Sequence, residues 1–501
     1  MFARYPRRMT PAMLALGAVC LAPACTSILG FDDVEFDQDG GSDGASGSGG
    51  LHGDAGGIGG AGGESGASGT GGTASGGTGN TGGIGGTGNT GGSAGVAGVG
   101  GGGTGATGGT GATGGTGATG GTGATGGTGG GASGTGGGAG CTASPGTPVA
   151  CSTSLTSRIT TTNVPGTGGS TIFLSAQPSG CSKAAWVGGG SVHVTPLDGT
   201  DQRFSDDATT TGSEIRGLVA HDDASAVLVR RDDQMVIVRL AANGVPVFEN
   251  IIVGDNTHLV DGDRWIDSWP HEGRLAWSGD TYAAYFGQTG NWGSQGNHQG
   301  DHLTMFTTTG AVSSGGWDWG CSHSLDVRIT HNGTRFGPVC LSDCYPGKGI
   351  YFNHNTLVNN EPSGNCSGGS SAALGGLAAA NDGFWLTFVS EEGRASHDVA
   401  LSHIPNSGAP AAPIWLTDTA SVQESQARLA PYGSNMLVGW RAGTQTKLAV
   451  LDMTGAIVQG PEDVSVTLPS GSDLTTFPNG DVGWTISGSG GFDVVRVVRC
   501  Q

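Results

Sequence analysis

The chain has 501 residues, 103 of them glycine, and a formal net charge of −20. About half of that glycine, 53 residues, falls between Gly40 and Gly140, which excludes one uniform globular fold; scarce proline and no strict Gly-X-Y period exclude collagen. No Lys or Arg occurs between Arg8 and Arg158, and an acidic chain without a basic patch is excluded as a nucleic-acid binder.

At the N-terminus Arg4, Arg7 and Arg8 precede an apolar run from Met9 to Leu21, which is too short to span a bilayer. Small residues then lead to Cys25. Residues 1–24 read as a secretory signal peptide. Leu21-Ala-Pro-Ala-Cys25 resembles a bacterial lipoprotein signal, with Ala22 where that pattern prefers Leu. Together with Thr26-Ser-Ile-Leu-Gly-Phe-Asp-Asp and the tract behind it, this start is similar to that of surface lipoproteins of myxobacteria and related Gram-negative bacteria. The resemblance implies lipidation at Cys25, a membrane partner through that lipid, and an exported protein at the outer membrane or cell surface.

Residues 25–140 form the lipoprotein N-terminus and a Gly/Thr/Ser/Ala-rich tether that repeats Gly-Ala-Thr-Gly-Gly-Thr near residues 103–130. It offers almost no large apolar side chain to offset the entropy of ordering it, so it is expected to be disordered. A flexible chain of about 100 residues reaches roughly 50–60 Å. The tract reads as a spacer, with a stacked polyglycine structure or a functionless variable tract as alternatives.

Residues 141–501 hold all 11 tryptophans and repeat internally. An apolar residue, three residues, then Gly and a small residue recurs as Leu240-Ala-Ala-Asn-Gly-Val, Phe306-Thr-Thr-Thr-Gly-Ala, Ile404-Pro-Asn-Ser-Gly-Ala and Leu451-Asp-Met-Thr-Gly-Ala, with a shorter form at Pro196-Leu-Asp-Gly. One member is missing and falls near Phe352 to Asn359. A second series of turns, at Asp222-Asp223, Gly279-Asp280, Asn332-Gly333, Asp382-Gly383, Gly433-Ser434 and Asn479-Gly480, precedes short β-prone runs. Hairpins at a period of about 45–65 residues predict an all-β fold, a β-propeller of about seven blades. Six or eight blades, or a two-sheet sandwich, are the alternatives.

Eight cysteines lie in this part: Cys141, Cys151, Cys181, Cys321, Cys340, Cys344, Cys366 and Cys500. Behind an export signal they are expected to form disulfides rather than a zinc site. Cys500 ends the last strand, and a bridge to Cys141, Cys151 or Cys181 would lock a ring.

The third unit is long, and its excess falls in Gly287 to His302, read as a Gly-rich loop. Trp292, His298, Asp301, His302, Trp317, Asp318, Trp319, His323 and Asp326 crowd this neighbourhood. Aromatic rings with convergent polar groups suit a glycan or protein ligand, against the plainer reading that the Trp fill blade cores. Asp261, Asp263 and Asp267 have a calcium-like spacing without the rest of an EF-hand loop. No cofactor is expected, with calcium left open. Binding or adhesion ranks first. A glycoside- or polysaccharide-active enzyme, which would need two carboxylates across a sugar, is the alternative.

Overall fold

The computed structural model describes Cys141 and residues 147–166, 168–254, 264–267, 272–291, 296–323, 326–361 and 372–501. The signal peptide, Cys25 and the tether therefore lie outside the described residues, as do Asp261, Asp263, Trp292 and Cys366.

Short apolar runs broken by turn residues form seven antiparallel sheets, and the chain is a seven-bladed β-propeller. Blades one to six span residues 173–211, 214–253, 264–317, 327–360, 373–415 and 424–464. Blade seven takes three strands from residues 475–497, and Ile159–Pro165, from the other end of the domain, adds its outermost strand. That strand pairs with the last one in register, from Ile159 with Val497 to Pro165 with Gly491. The first strands line the axis, each touching the first strand of the next blade, and Thr475–Thr476 of blade seven touches Phe173–Ala176 of blade one to close the ring. Glycine permits this approach. A Cβ at Gly376 would sit 2.1 Å from the backbone nitrogen of Leu429 in the next first strand, and one at Gly217 would sit 2.5 Å from that of Leu275.

The hydrophobic core lies between blades. One cluster joins Ala226, Leu228 and Ile237 of blade two to Tyr282, Ala284 and Phe286 of blade three. Another joins Leu437 and Leu448 of blade six to Trp484 and Val495 of blade seven. The only helix among the described residues is Leu155–Arg158, so no described helix is long enough to cross a membrane.

The two turn series of the sequence are the two turns of each blade on one face of the ring. Asp222, Gly279, Asn332, Asp382, Gly433 and Asn479 join first strands to second strands, and Gly244, Gly310, Gly408 and Gly455 join third to fourth. The last four have φ of 78°, 86°, 93° and 85°, a backbone that favours glycine. At the missing member the turn is made by Asn353 and His354, with φ of 52° and 55°. Two left-handed residues in a row give the hairpin turn without glycine, which is why no glycine marks it. We call this the turn face. The connections between blades and the second-to-third turns lie on the opposite, crossover face.

Residues 287–302 differ from their reading as a loop. Thr281–Asn291 and Asn297–Thr307 are eleven-residue strands paired throughout, with Gly287 opposite Asp301 and Asn291 opposite Asn297. The glycines make room for an aromatic ring. A Cβ at Gly300 would lie 2.4 Å from the Trp319 ring, and one at Gly290 would lie 3.1 Å from it.

Disulfides join Cys141 to Cys181, Cys151 to Cys500 and Cys321 to Cys340, and Cys344 is also disulfide-bonded. The Cys151–Cys500 bridge ties the start of the domain to its last strand and so locks the ring.

Candidate functional site

A pattern in the first strands builds the axis. Glu214-Ile-Arg216, Glu272-Gly-Arg274 and Asp326-Val-Arg328 repeat an acid, one residue and an arginine, and Gln426-Ala-Arg428 is a fourth member with its acid replaced. Residues i and i+2 of a strand share a face, and here that face is the channel. Near the crossover end, Arg274 Nε donates to Asp473 at 2.7 Å, Arg328 donates to Glu272 at 3.0 Å and to Asp326, and Arg328 Nε lies 3.2 Å from Asp473. Arg428 donates to the carbonyls of Ser472, Pro469 and Ala427. Four blades thus contribute to one ionic plug of buried arginines and half-buried carboxylates. Burial opposes the charge on Asp473, yet Arg274, Arg328 and Arg428 outweigh it and hold its carboxyl well below the usual carboxylate range. Burial, with Glu272 alongside, raises the carboxyl of Asp326.

Below the plug the channel opens toward the turn face. A throat of about 170 Å³ is lined by Phe173, Ser175, Leu218, Arg274, Leu275 and Asp473, among others. It shares Ser175, Leu218 and Leu275 with a mouth of about 560 Å³, whose wall includes His221, Trp277, Phe477 and Pro478 beside Thr330, Thr475 and Thr476. His221 Nε2 bonds the Tyr282 hydroxyl at 2.6 Å. Burial, then Arg239, lowers its pKa to about 4, so it is neutral at pH 7. His331 also lines a neighbouring cleft of about 670 Å³ between blades three and four, with Asp280, Arg335, Phe336 and Asn353. The mouth and the cleft therefore meet at His331.

The residues singled out in the sequence fall elsewhere. The structure gathers His302, Asp318, Trp319 and Arg264 on blade three, along its hairpin and its link to blade four. His302 Nδ1 lies 3.4 Å from the Asp318 carboxylate, and Arg264 Nη2 lies 3.5 Å from it. A hydrogen bond from His302 and the charge of Arg264 hold the exposed Asp318 carboxyl below its ordinary value. Trp319 lies between the glycine floor of the hairpin and the Arg264 guanidinium, 5.1 Å from its centroid. Beyond it His298 stacks on His323, whose Nδ1 bonds Asp343 at 2.9 Å, a bond that raises its pKa. Trp317 packs on Tyr285 and on His354.

Asp301 and Asp326 are placed apart from that group. Asp301 is fully buried beneath it, accepts a hydrogen bond from Tyr285, and burial raises its pKa to about 7. Asp326 belongs to the axial plug. Asp267 accepts a hydrogen bond from Thr289 at 2.8 Å. Asp301, Cys321 and Cys340 lie close enough to hold a cation. The two sulfurs are spent on a disulfide, so this donor set does not fit a metal.

The axial arginines and the mouth were missed in the sequence. The acid-x-Arg repeat was the available signal. It recurs at 58 and 54 residues and then at 100, the same period as the turns.

No protein-family profile and no curated protein matches the chain. Among solved structures it is similar to a streptogramin B lyase, at 13% identity and a TM-score of 0.40, over 67% of this chain and 96% of that one. It is also similar to the Pan2 WD40 domain of Neurospora crassa, at 12% identity and 0.37, over 67% and 90%. A third is the PQQ-bound aldose sugar dehydrogenase of Streptomyces coelicolor, at 14% identity and 0.33, over 68% and 97%.

Proposed function

We propose that the chain is an extracytoplasmic binding module that holds a glycan or protein ligand at the turn-face mouth of its channel. It is lipid-anchored at Cys25 and carried off an outer membrane or cell surface by the tether. The observation that carries the reading is the mouth itself, an open concavity with aromatic, proline and hydroxyl walls, which shares His331 with the neighbouring cleft. Such a surface buries the faces of sugars or extended peptide and leaves hydroxyls to orient them. Described disulfides at three places in the fold support an oxidising, exported setting.

Binding is preferred to glycoside hydrolysis because that chemistry needs two carboxylates on either side of one bond. Asp280 is the one carboxylate in the cleft lining among the described residues, and Asp473, in the throat, is tied to arginine. The test is to present the full chain with glycan and peptide arrays and to assay the retained species for turnover. Saturable retention without product is expected. Product release, or retention of nothing, would contradict the reading.

A further inference from the structure

Two buried atoms of the plug have no hydrogen-bond partner among the described residues, Asp473 Oδ1 and Arg274 Nη2; the first faces Arg328 Nε at 3.2 Å, and the second points at a ligand. Arg274 is 5% exposed, and four of its bonding directions can be followed. Nε donates to Asp473 at 2.7 Å, Nη1 donates to the carbonyl of Gly273 at 2.8 Å and lies 3.2 Å from Glu272, and the face of the guanidinium sits 5.8 Å from the centroid of Phe173. Nη2 is buried and has no hydrogen-bond partner among the described residues. A guanidinium carries five N–H donors and cannot shed its charge, so two donors remain unspent. Leaving such donors buried and unmet is costly. Arg274 lines the throat, which opens through Ser175, Leu218 and Leu275 into the mouth.

We propose that the throat is a carboxylate-binding subsite, in which Arg274 Nη2 takes the acidic end of a ligand whose body lies in the mouth. The proposal rests on the mouth being the ligand site and narrows the ligand to an acidic one. Carboxylate is the chemistry that meets a guanidinium edge with charge-assisted hydrogen bonds. The volume of about 170 Å³ admits a terminal group rather than a polymer repeat. The shared chemistry has two sources, a uronic acid at a glycan end or the C-terminus of a peptide.

Two matched pairs separate these sources by calorimetric titration of the full chain: methyl glucuronide against methyl glucoside, and N-acetylphenylalanine against its amide. The acid of one pair is expected to bind at least about tenfold tighter than its neutral partner, the scale of a hydrogen bond to a charged group. Arg274→Gln should abolish the preference. Because Arg274 also supports the fold, Leu218→Phe, which narrows the passage from mouth to throat, should abolish it too. Equal binding of acid and neutral partner in both pairs overturns the subsite, as does binding of none of the four. So does a preference that survives both variants. Neutral probes that bind equally well and are weakened by Trp277→Ala would leave the mouth standing while the throat falls.

Discussion

Asp301 shows how burial can outweigh hydrogen bonds in setting a side chain's charge. Its carboxyl meets Tyr285 inside blade three and its pKa rises to about 7. An unfolded aspartate titrates near 4. Between those values the folded chain holds a proton that the unfolded chain has lost, so stability falls as pH rises from about 4 through about 7. The contribution is fully present below the unfolded value and is gone above the folded one. Asp301→Asn keeps an acceptor for Tyr285 and removes the titration. Denaturant midpoints at pH 5 and pH 8 should therefore differ less in the variant than in the parent. Identical pH profiles would show that Asp301 is ionised in the fold.

Asp473 is the opposite case, a half-buried carboxylate kept charged by three arginines. Burial raises one acid, neighbouring guanidinium groups hold down the other, and the difference is the partner. This is also why the axis was hidden in the sequence. Glu272, Arg274 and Asp326 are ordinary surface residue types, and only the strand period and the ring bring them to one line.

The blade-three hairpin carries the lesson at the level of elements. Its glycines, Gly287, Gly290 and Gly300, gave it the composition of a loop. In the sheet, Gly290 and Gly300 are the floor beneath Trp319. Gly300→Ala is expected to push that ring away and to cost about 1–3 kcal/mol, the range for overpacking. Chemical denaturation followed by tryptophan emission reads both effects. An unchanged midpoint would show that the ring moves freely. The turns were legible for the converse reason. Gly244, Gly310, Gly408 and Gly455 sit where a left-handed backbone is required, so their spacing reported the blades directly. Asn353 and His354 solve the same problem with other residues and left a gap. The crowd of Trp, His and Asp was legible as a crowd. Its division into an exposed group at Asp318, a buried Asp301 and a half-buried Asp326 at the axis was not, because register decides which side of a strand each occupies.

In the whole molecule, ring closure joins residues that are far apart in the chain. Ile159–Pro165 completes blade seven, and Cys151–Cys500 spans 349 residues. Constraining so long a loop restricts the unfolded chain strongly, worth up to about 5 kcal/mol in the chain-entropy account. Cys151→Ser should lower the thermal midpoint more than Cys321→Ser, whose bridge spans 19 residues. Scanning calorimetry of both variants checks this, and a larger loss from Cys321→Ser would mean that closure rests on the strand pairing alone.

The same whole-molecule view separates two faces. The crossover side of blade three holds the Asp318 and His302 group, and the turn face holds the channel mouth. The central claim is that the ligand sits at the mouth. The most direct measurement is a calorimetric titration of one retained array ligand against two single variants, Trp277→Ala at the mouth and Asp318→Ala on blade three. Loss of a buried aromatic contact should weaken binding by about tenfold or more in Trp277→Ala, with affinity unchanged in Asp318→Ala. Full affinity in Trp277→Ala together with a loss in Asp318→Ala would contradict the claim and move the ligand to the opposite face.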